Sequence, residues 1–216
     1  MITKSIQDYL KIIYKIGARE KTVSTNAIAE RLGVSQASVT GMSKKLAQLK
    51  LIRHKPYQGV ELTNAGRKIA LEIIRHHRLL ELYLAEALGF SWDQVHDEAE
   101  KLEHVISEEF EDRMAEVLGD PIQDPHGAPI PTKQGILVER KLDRLTSVKA
   151  GQTVCVQQVS DSDPEMLRYL GNIGIFPNVV VVVLEKAPFD GPMLVQVGED
   201  QHYLGRTLTN NIFISV

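Results

Sequence analysis

TVSTNAIAERLGVSQASVTGMSKKLAQLKLI, residues 22–52, decides the architecture of the N-terminal third of the chain. Thr25–Leu32 reads as a short helix with Ala27, Ile28 and Ala29 as a small apolar face. Gly33 and Val34 make a tight turn, since glycine enters the left-handed region without a Cβ penalty. Ser35 is suited to cap a second helix running to about Leu49. Two helices, a glycine-containing turn, and a second helix rich in small polar and basic residues form a helix-turn-helix.

Working outward, LIRHKPYQGVELT reads as two short strands around a turn at residues 56–59, which makes a wing. Upstream, residues 4–18 carry Ile6, Tyr9, Leu10, Ile13 and Ile16 on one side of an amphipathic helix. The sequence therefore predicts a winged helix over residues 1–63. In such a module the N-terminal half of the second helix enters the major groove. That nominates Ser35, Gln36, Ser38 and Thr40, with Ala37 able to touch a thymine methyl. Lys44, Lys45, Arg53 and Lys55 suit phosphate contacts, which position a protein without reading sequence. Plain solvent-exposed surface is the alternative for each of these residues.

Charge supports a polyanion partner. The net charge of −3 hides an asymmetry: residues 1–78 hold 15 Lys/Arg against 5 Asp/Glu, and the remainder 10 against 23. A basic N-terminal module joined to an acidic remainder suggests a nucleic-acid binder coupled to something that handles cations. Hydrophobic content of 43% supports a real core, and no apolar run approaches a membrane span. The N-terminus lacks a signal-peptide pattern, and one cysteine, Cys155, excludes an intramolecular disulfide framework. A cytoplasmic location is expected.

Thr63 is placed to cap a long helix to about Leu88, with Gly89 as its stop. Ser91 is placed to cap another, with no Gly or Pro before Gly119. This second helix contains VHDEAEKLEH, residues 95–104, in which six of ten side chains bind protons or metal ions. Val95, Ala99, Leu102 and Ile106 set a helical rhythm. At about 100° per residue, His96, Glu100, Glu103 and His104 fall within an arc of roughly 100° beside that apolar stripe. A solvated acidic face is the plain reading. Two imidazoles interleaved with two carboxylates favour a divalent-metal site instead. The apolar faces of the two long helices can supply a dimer surface.

Residues 120–146 are proline-rich and include a connecting loop. From about 147 the chain reads as strands: TVCVQQV, NVVVVVLE, MLVQV and IFISV, interrupted by a short helix at 164–170. A small antiparallel barrel is expected there. The fold class is thus mainly α with small β.

The segments SIQDYLKIIY, AIAERLGVSQASVT, GVELTNAGRKIA, RHHRLLELYL and VHDEAEKLEHVISEE, with the loop DPHGAPIP, carry a resemblance. Over essentially its whole length the chain resembles the diphtheria-toxin-repressor family of iron- and manganese-dependent transcriptional repressors. The resemblance implies three domains: a winged-helix DNA-binding domain (1–63), a helical metal-binding and dimerisation domain (64–140), and an SH3-like β-barrel (147–216). It implies a homodimer that controls metal homeostasis from a palindromic double-stranded DNA operator, metal binding ordering the dimer. By motif, the primary metal site is expected to combine Asp8 with Glu100, Glu103 and His104, with His77 as a further ligand. The ion would then tie the DNA-binding domain to its neighbour.

Iron-responsive members place a soft Met or Cys where this chain has Asp8 and Glu100. Hard carboxylates suit Mn²⁺, with Fe²⁺ the alternative. One departure stands out. Short manganese-type members use a Glu three residues after the first-helix Asp to hold a second ion, and this chain has Lys11 there. A charged lysine cannot be a ligand. A second site is therefore expected elsewhere, from Glu81, His126 and Asp124 with Asp161 or Asp163. His96 matches an ancillary-site position of the iron-type members.

Two other classes compete. A metal-dependent nucleic-acid enzyme needs an open coordination position and a general base. No HExxH, nucleophile elbow or phosphate-cradling glycine loop appears in the chain. A metal-independent DNA-binding protein with a merely acidic helix is the other.

Overall fold

The structure is a computed structural model, and it describes residues 2–17, 22–55, 58–138 and 140–215. The chain divides into two compact units. The first comprises residues 1–76, 103–106 and 131–137; the second comprises 77–102, 107–130 and 138–216.

In the first unit, α1 (Lys4–Gly17) buries Ile6, Tyr9, Leu10, Ile12 and Ile13, following its amphipathic pattern. α2 (Thr25–Leu32) is capped by Ser24, whose hydroxyl accepts from Ala27 N. It ends at Gly33, whose φ of 64° lets its N–H reach the carbonyls of Ala29 and Glu30. α3 (Gln36–Gln48) is capped by Ser35, which accepts from Ser38 N. The two-stranded wing pairs β1 (Ile52–Lys55) with β2 (Gly59–Leu62), and Val60 also exchanges both backbone hydrogen bonds with Val23. Of the turn expected at 56–59, Pro56 and Tyr57 lie outside the described residues. Ile6, Leu10 and Ile13 share one core with Ile28, Val39, Leu46 and Val60. The first helix and the second helix of the helix-turn-helix are thus anchored in the same packed interior.

α4 (Asn64–Glu86) begins where Thr63 predicts: the Thr63 hydroxyl accepts from Gly66 N at 3.2 Å. The division between the units falls within this helix, between His76 and His77.

The helix expected from Ser91 to about 118 is instead two. α5 (Val95–Leu102) starts four residues late, because residues 92–94 form a turn in which Gln94 N donates to Ser91 O. The helix stops at Leu102, and α6 (Glu108–Val117) restarts after a fresh cap, with the Ser107 hydroxyl accepting from Phe110 N. The physical reason is readable in VISEEFE. Two β-branched residues disfavour continuation, whereas Ser107 followed by Glu108, Glu109 and Glu111 suits a new N-terminus. Glu103 and His104 therefore sit in a turn, not on one helical arc with His96 and Glu100.

In the second unit, six strands form an antiparallel sheet: β3 (Asp143–Arg144), β4 (Thr153–Val159), β5 (Val180–Lys186), β6 (Met193–Val197), β7 (Asp200–Leu204) and β8 (Ile212–Ser215). Their order is β3-β8-β4-β5-β6-β7, and among the described residues no pairing closes the ends, so the strand-rich domain is an open sheet. α7 (Pro164–Asn172) and α8 (Arg206–Asn210) complete it. Its core is Val156, Val181, Val183, Val195, Leu204, Ile212 and Ile214, with Leu167 and Leu170 from α7.

Candidate metal centre and nucleic-acid face

In the first unit, α1 presents Asp8 to the 103–106 turn. His104 Nε2 lies 2.8 Å from Asp8 Oδ1 and 3.1 Å from Glu103 Oε1. Glu103 is fully buried, and the His104 ring is nearly so. The ring is oriented from its other side, where Nδ1 lies 2.8 Å from the Gln7 amide oxygen. An amide oxygen only accepts, so Nδ1 carries a proton. In the neutral ring, Nε2 is then a bare lone pair. That buried nitrogen is near two carboxylates yet aligned for a hydrogen bond with neither. One ligand-type atom from each of Asp8, Glu103 and His104 converges here, a grouping that could hold a metal ion. Burial pushes the Asp8 carboxyl up from its ordinary value, more than His104, Lys11 and Lys4 pull it down.

Two further residues brace this cluster: His76, which did not stand out in the sequence, and Lys11, whose burial did not. The His76 ring lies 3.1 Å from the Glu103 carbonyl oxygen, so its Nδ1 donates. Lys11 is buried, with Nζ 2.6 Å from Glu103 Oε1.

The second unit carries the remaining candidate ligands. Along α4, His77 and Glu81 are one turn apart, with His77 Nε2 3.0 Å from Glu81 Oε1. His96 Nδ1, from α5, lies 3.0 Å from that same oxygen and 3.1 Å from His77 Nε2. Asp161, which follows β4, brings Oδ2 within 3.7 Å of His96 Nδ1. Glu100 offers a carboxylate oxygen within 4.8 Å of a ring nitrogen of His77.

Glu81 also belongs to a fully buried group with Asp124 and His126. The loop is built by Asp124 itself, whose Oδ1 accepts from His126 N and Ala128 N, both at 2.9 Å. His126 Nε2 donates to the Trp92 carbonyl at 2.7 Å, because a carbonyl cannot donate. In the neutral ring Nδ1 is therefore a lone pair, buried and without a hydrogen-bond partner, as is Glu81 Oε2. Burial opposes ionisation of Glu81, yet His77, with His96 and His126, holds it well below the usual carboxylate range. Asp124 is pushed up to about 7 by burial and by Glu81, against the pull of Arg78 and His126. Unpartnered buried acceptors are costly, and a cation offsets that cost.

Asp163 lies apart from these groups. Its Oδ1 accepts from Glu165 N and Met166 N, so it caps α7. Cys155 lies on β4 with its thiol toward the Val156 carbonyl, and no sulfur joins any of the described clusters.

The residues expected to read bases lie at the exposed N-terminal half of α3. Gln36, Ala37, Ser38 and Thr40 are exposed, as are Ser35, Lys44, Lys45 and Arg53. The Thr40 hydroxyl donates to Gln36 O at 2.9 Å. Lys55 is half-buried and paired with Glu61 at 2.7 Å, which ties it to the wing. No helix of the described residues is long and apolar enough to cross a membrane.

A helix-turn-helix with an exposed reading helix, joined to buried imidazole and carboxylate clusters, defines a DNA-binding regulator that responds to metal. Comparison with known proteins agrees. Residues 1–60 match the N-terminal DNA-binding domain of iron-dependent repressors, residues 63–132 their metal-binding and dimerisation domain, and residues 144–216 the FeoA domain. The chain is 34% identical over 204 residues to the iron-dependent repressor IdeR of Mycobacterium tuberculosis, covering 89% of this chain and 88% of that protein. It is 31% identical over 177 residues to the diphtheria toxin repressor of Corynebacterium efficiens, covering 77% of each. Among solved structures, a manganese-dependent transcriptional repressor in complex with manganese aligns with a TM-score of 0.88 at 39% identity, over 97% of this chain and 98% of that one. ScaR with bound Zn²⁺ aligns at 0.81 and 30% identity, over 97% and 98%. The chain belongs to the diphtheria-toxin-repressor family of metal-dependent transcriptional repressors and ends in a FeoA, SH3-like domain.

Proposed function

We propose that this repressor responds to Mn²⁺, held by Asp8, Glu103 and His104 with Glu100 and His77, and that the ion licenses binding of a homodimer to a palindromic operator. The observation that carries the reading is the convergence of three ligand-type atoms, His104 Nε2 lying 2.8 Å from Asp8 Oδ1 and 3.1 Å from Glu103 Oε1. A divalent cation supplies the positive charge that lets these three groups converge. Asp8 then fastens α1 to the 103–106 turn. Because α1 and α3 share one core, restraint at Asp8 reaches the reading helix through close-packed side chains. Gln36 is the group best suited to bidentate base reading, and Lys44, Lys45 and Arg53 engage phosphates.

Manganese rests on ligand hardness, since Asp8 and Glu100 are carboxylates and the one cysteine lies on β4. The iron-dependent relatives favour Fe²⁺ as the second reading. Titrating a labelled operator duplex separates them: Mn²⁺ is expected to tighten binding by roughly 10–150-fold. Equal affinity in chelator and in excess Mn²⁺ would remove the metal from the account. The double variant Asp8→Met with Glu100→Cys is expected to shift the preference toward Fe²⁺ or Co²⁺ in the same titration.

We place a second ion at Glu81, Asp124 and His126, with Asp161 as a further ligand and His77 and His96 adjoining Glu81. His126→Ala is expected to lower bound metal by one equivalent, measured by elemental analysis after dialysis. It is expected to weaken operator binding less than loss of His104. Retention of both ions in that variant would put the second site elsewhere.

A further inference from the structure

We propose that Lys11 is a resident cation of the Asp8–Glu103–His104 cluster: its ammonium occupies the place of a second metal ion, limits the cluster to one, and sets how much metal is needed to fill it. The inference rests on the metal-binding reading above but concerns a residue that is not a ligand.

Lys11 is 2% exposed and Glu103 0%, with Nζ 2.6 Å from Oε1. A buried ammonium is rare unless paired, and a buried carboxylate likewise. The same oxygen, Glu103 Oε1, is the one 3.1 Å from His104 Nε2. Lys11 and an incoming cation therefore compete for one carboxylate oxygen. Lys11 lies one helical turn after Asp8 on the same face of α1, so the tethered charge is always present.

Two consequences follow from elementary electrostatics. Before metal arrives, the ammonium neutralises Glu103 and holds it in the interior. Once metal arrives, the ammonium repels it at close range, and that repulsion lowers the affinity of the cluster.

The test compares Mn²⁺ binding and thermal unfolding in the full-length wild type, Lys11→Gln, Lys11→Met and Lys11→Glu. Chelator competition is expected to show about tenfold or more tighter Mn²⁺ binding in the two neutral variants. Their metal-free melting temperatures are expected to fall, with a larger rise on Mn²⁺ addition than in wild type. Lys11→Glu is expected to bind one more ion per chain. Lys11→Gln keeps a hydrogen-bond donor for Glu103, so it reports charge if Lys11→Met does not fold. Unchanged or weaker binding in the folded neutral variants, or no added ion in Lys11→Glu, overturns the proposal. His104→Ala, assayed alongside, separates the two readings: if it keeps every ion, the metal site itself is misplaced. If it loses one while the Lys11 variants match wild type, only the role of Lys11 fails.

Discussion

Replacing His104 with alanine is expected to remove the metal dependence of operator binding, a loss of about 100-fold in affinity at saturating Mn²⁺. The size follows from what the ring does. His104 Nε2 is the one neutral ligand atom between Asp8 Oδ1 and Glu103 Oε1, at 2.8 and 3.1 Å. Without it Asp8, Glu103 and Lys11 remain, and the site has one ligand atom fewer. The ring sits in a turn and not within a helix, and its described hydrogen bond is to Gln7. The variant is therefore expected to fold, which circular dichroism and thermal melting check. Metal-dependent binding retained in full by folded His104→Ala would mean that the ion is held by other groups.

The second large effect is expected from Gly127→Ala. Gly127 has φ of 88°, and a Cβ placed there meets the Gln157 carbonyl oxygen at 2.1 Å and Gln158 Cα at 3.0 Å. Both the left-handed backbone and the collision penalise any side chain. The neighbouring His126 carbonyl accepts from Val159 N at 2.8 Å, so the loop is fastened to β4 and cannot simply retreat. About 3 kcal/mol or more of destabilisation is expected, which for a chain of this size is a fall of roughly 10 °C in melting temperature. The same change displaces Asp124 and His126, and one bound ion is expected to be lost with it. A melting temperature within a degree or two of wild type would show that the loop yields.

How much of this was readable from sequence depends on how local each signal is. The helix-turn-helix was legible because its signals are local: Ser35 caps α3, Gly33 ends α2, and Thr63 starts α4. The strands TVCVQQV and MLVQV were legible for the same reason. β7 was not, because DQHYL has polar, mostly exposed positions and owes its pairing to the Gly198–Glu199 turn after β6. The break between α5 and α6 was missed because the apolar rhythm runs through it. Ser107 was the signal that could have shown it.

The candidate ligands were visible as residue types, but their grouping depends on long-range contacts. Asp8 and Gln7 meet His104 across 97 residues for Gln7, and Lys11 meets Glu103 across 92. A lysine in an amphipathic helix reads as solvent-facing, and only the packing of α1 reveals it as buried. The protonated nitrogens of His104 and His126 were equally invisible, since each is fixed by an oxygen distant in sequence.

The most direct measurement is anomalous diffraction at the manganese edge from crystals of the Mn²⁺-loaded protein. The account predicts one peak bounded by Asp8, Glu103 and His104, a second beside Glu81 and His126, and none beside Lys11 Nζ. Absence of a peak at Asp8, Glu103 and His104 in crystals that hold manganese elsewhere would contradict it.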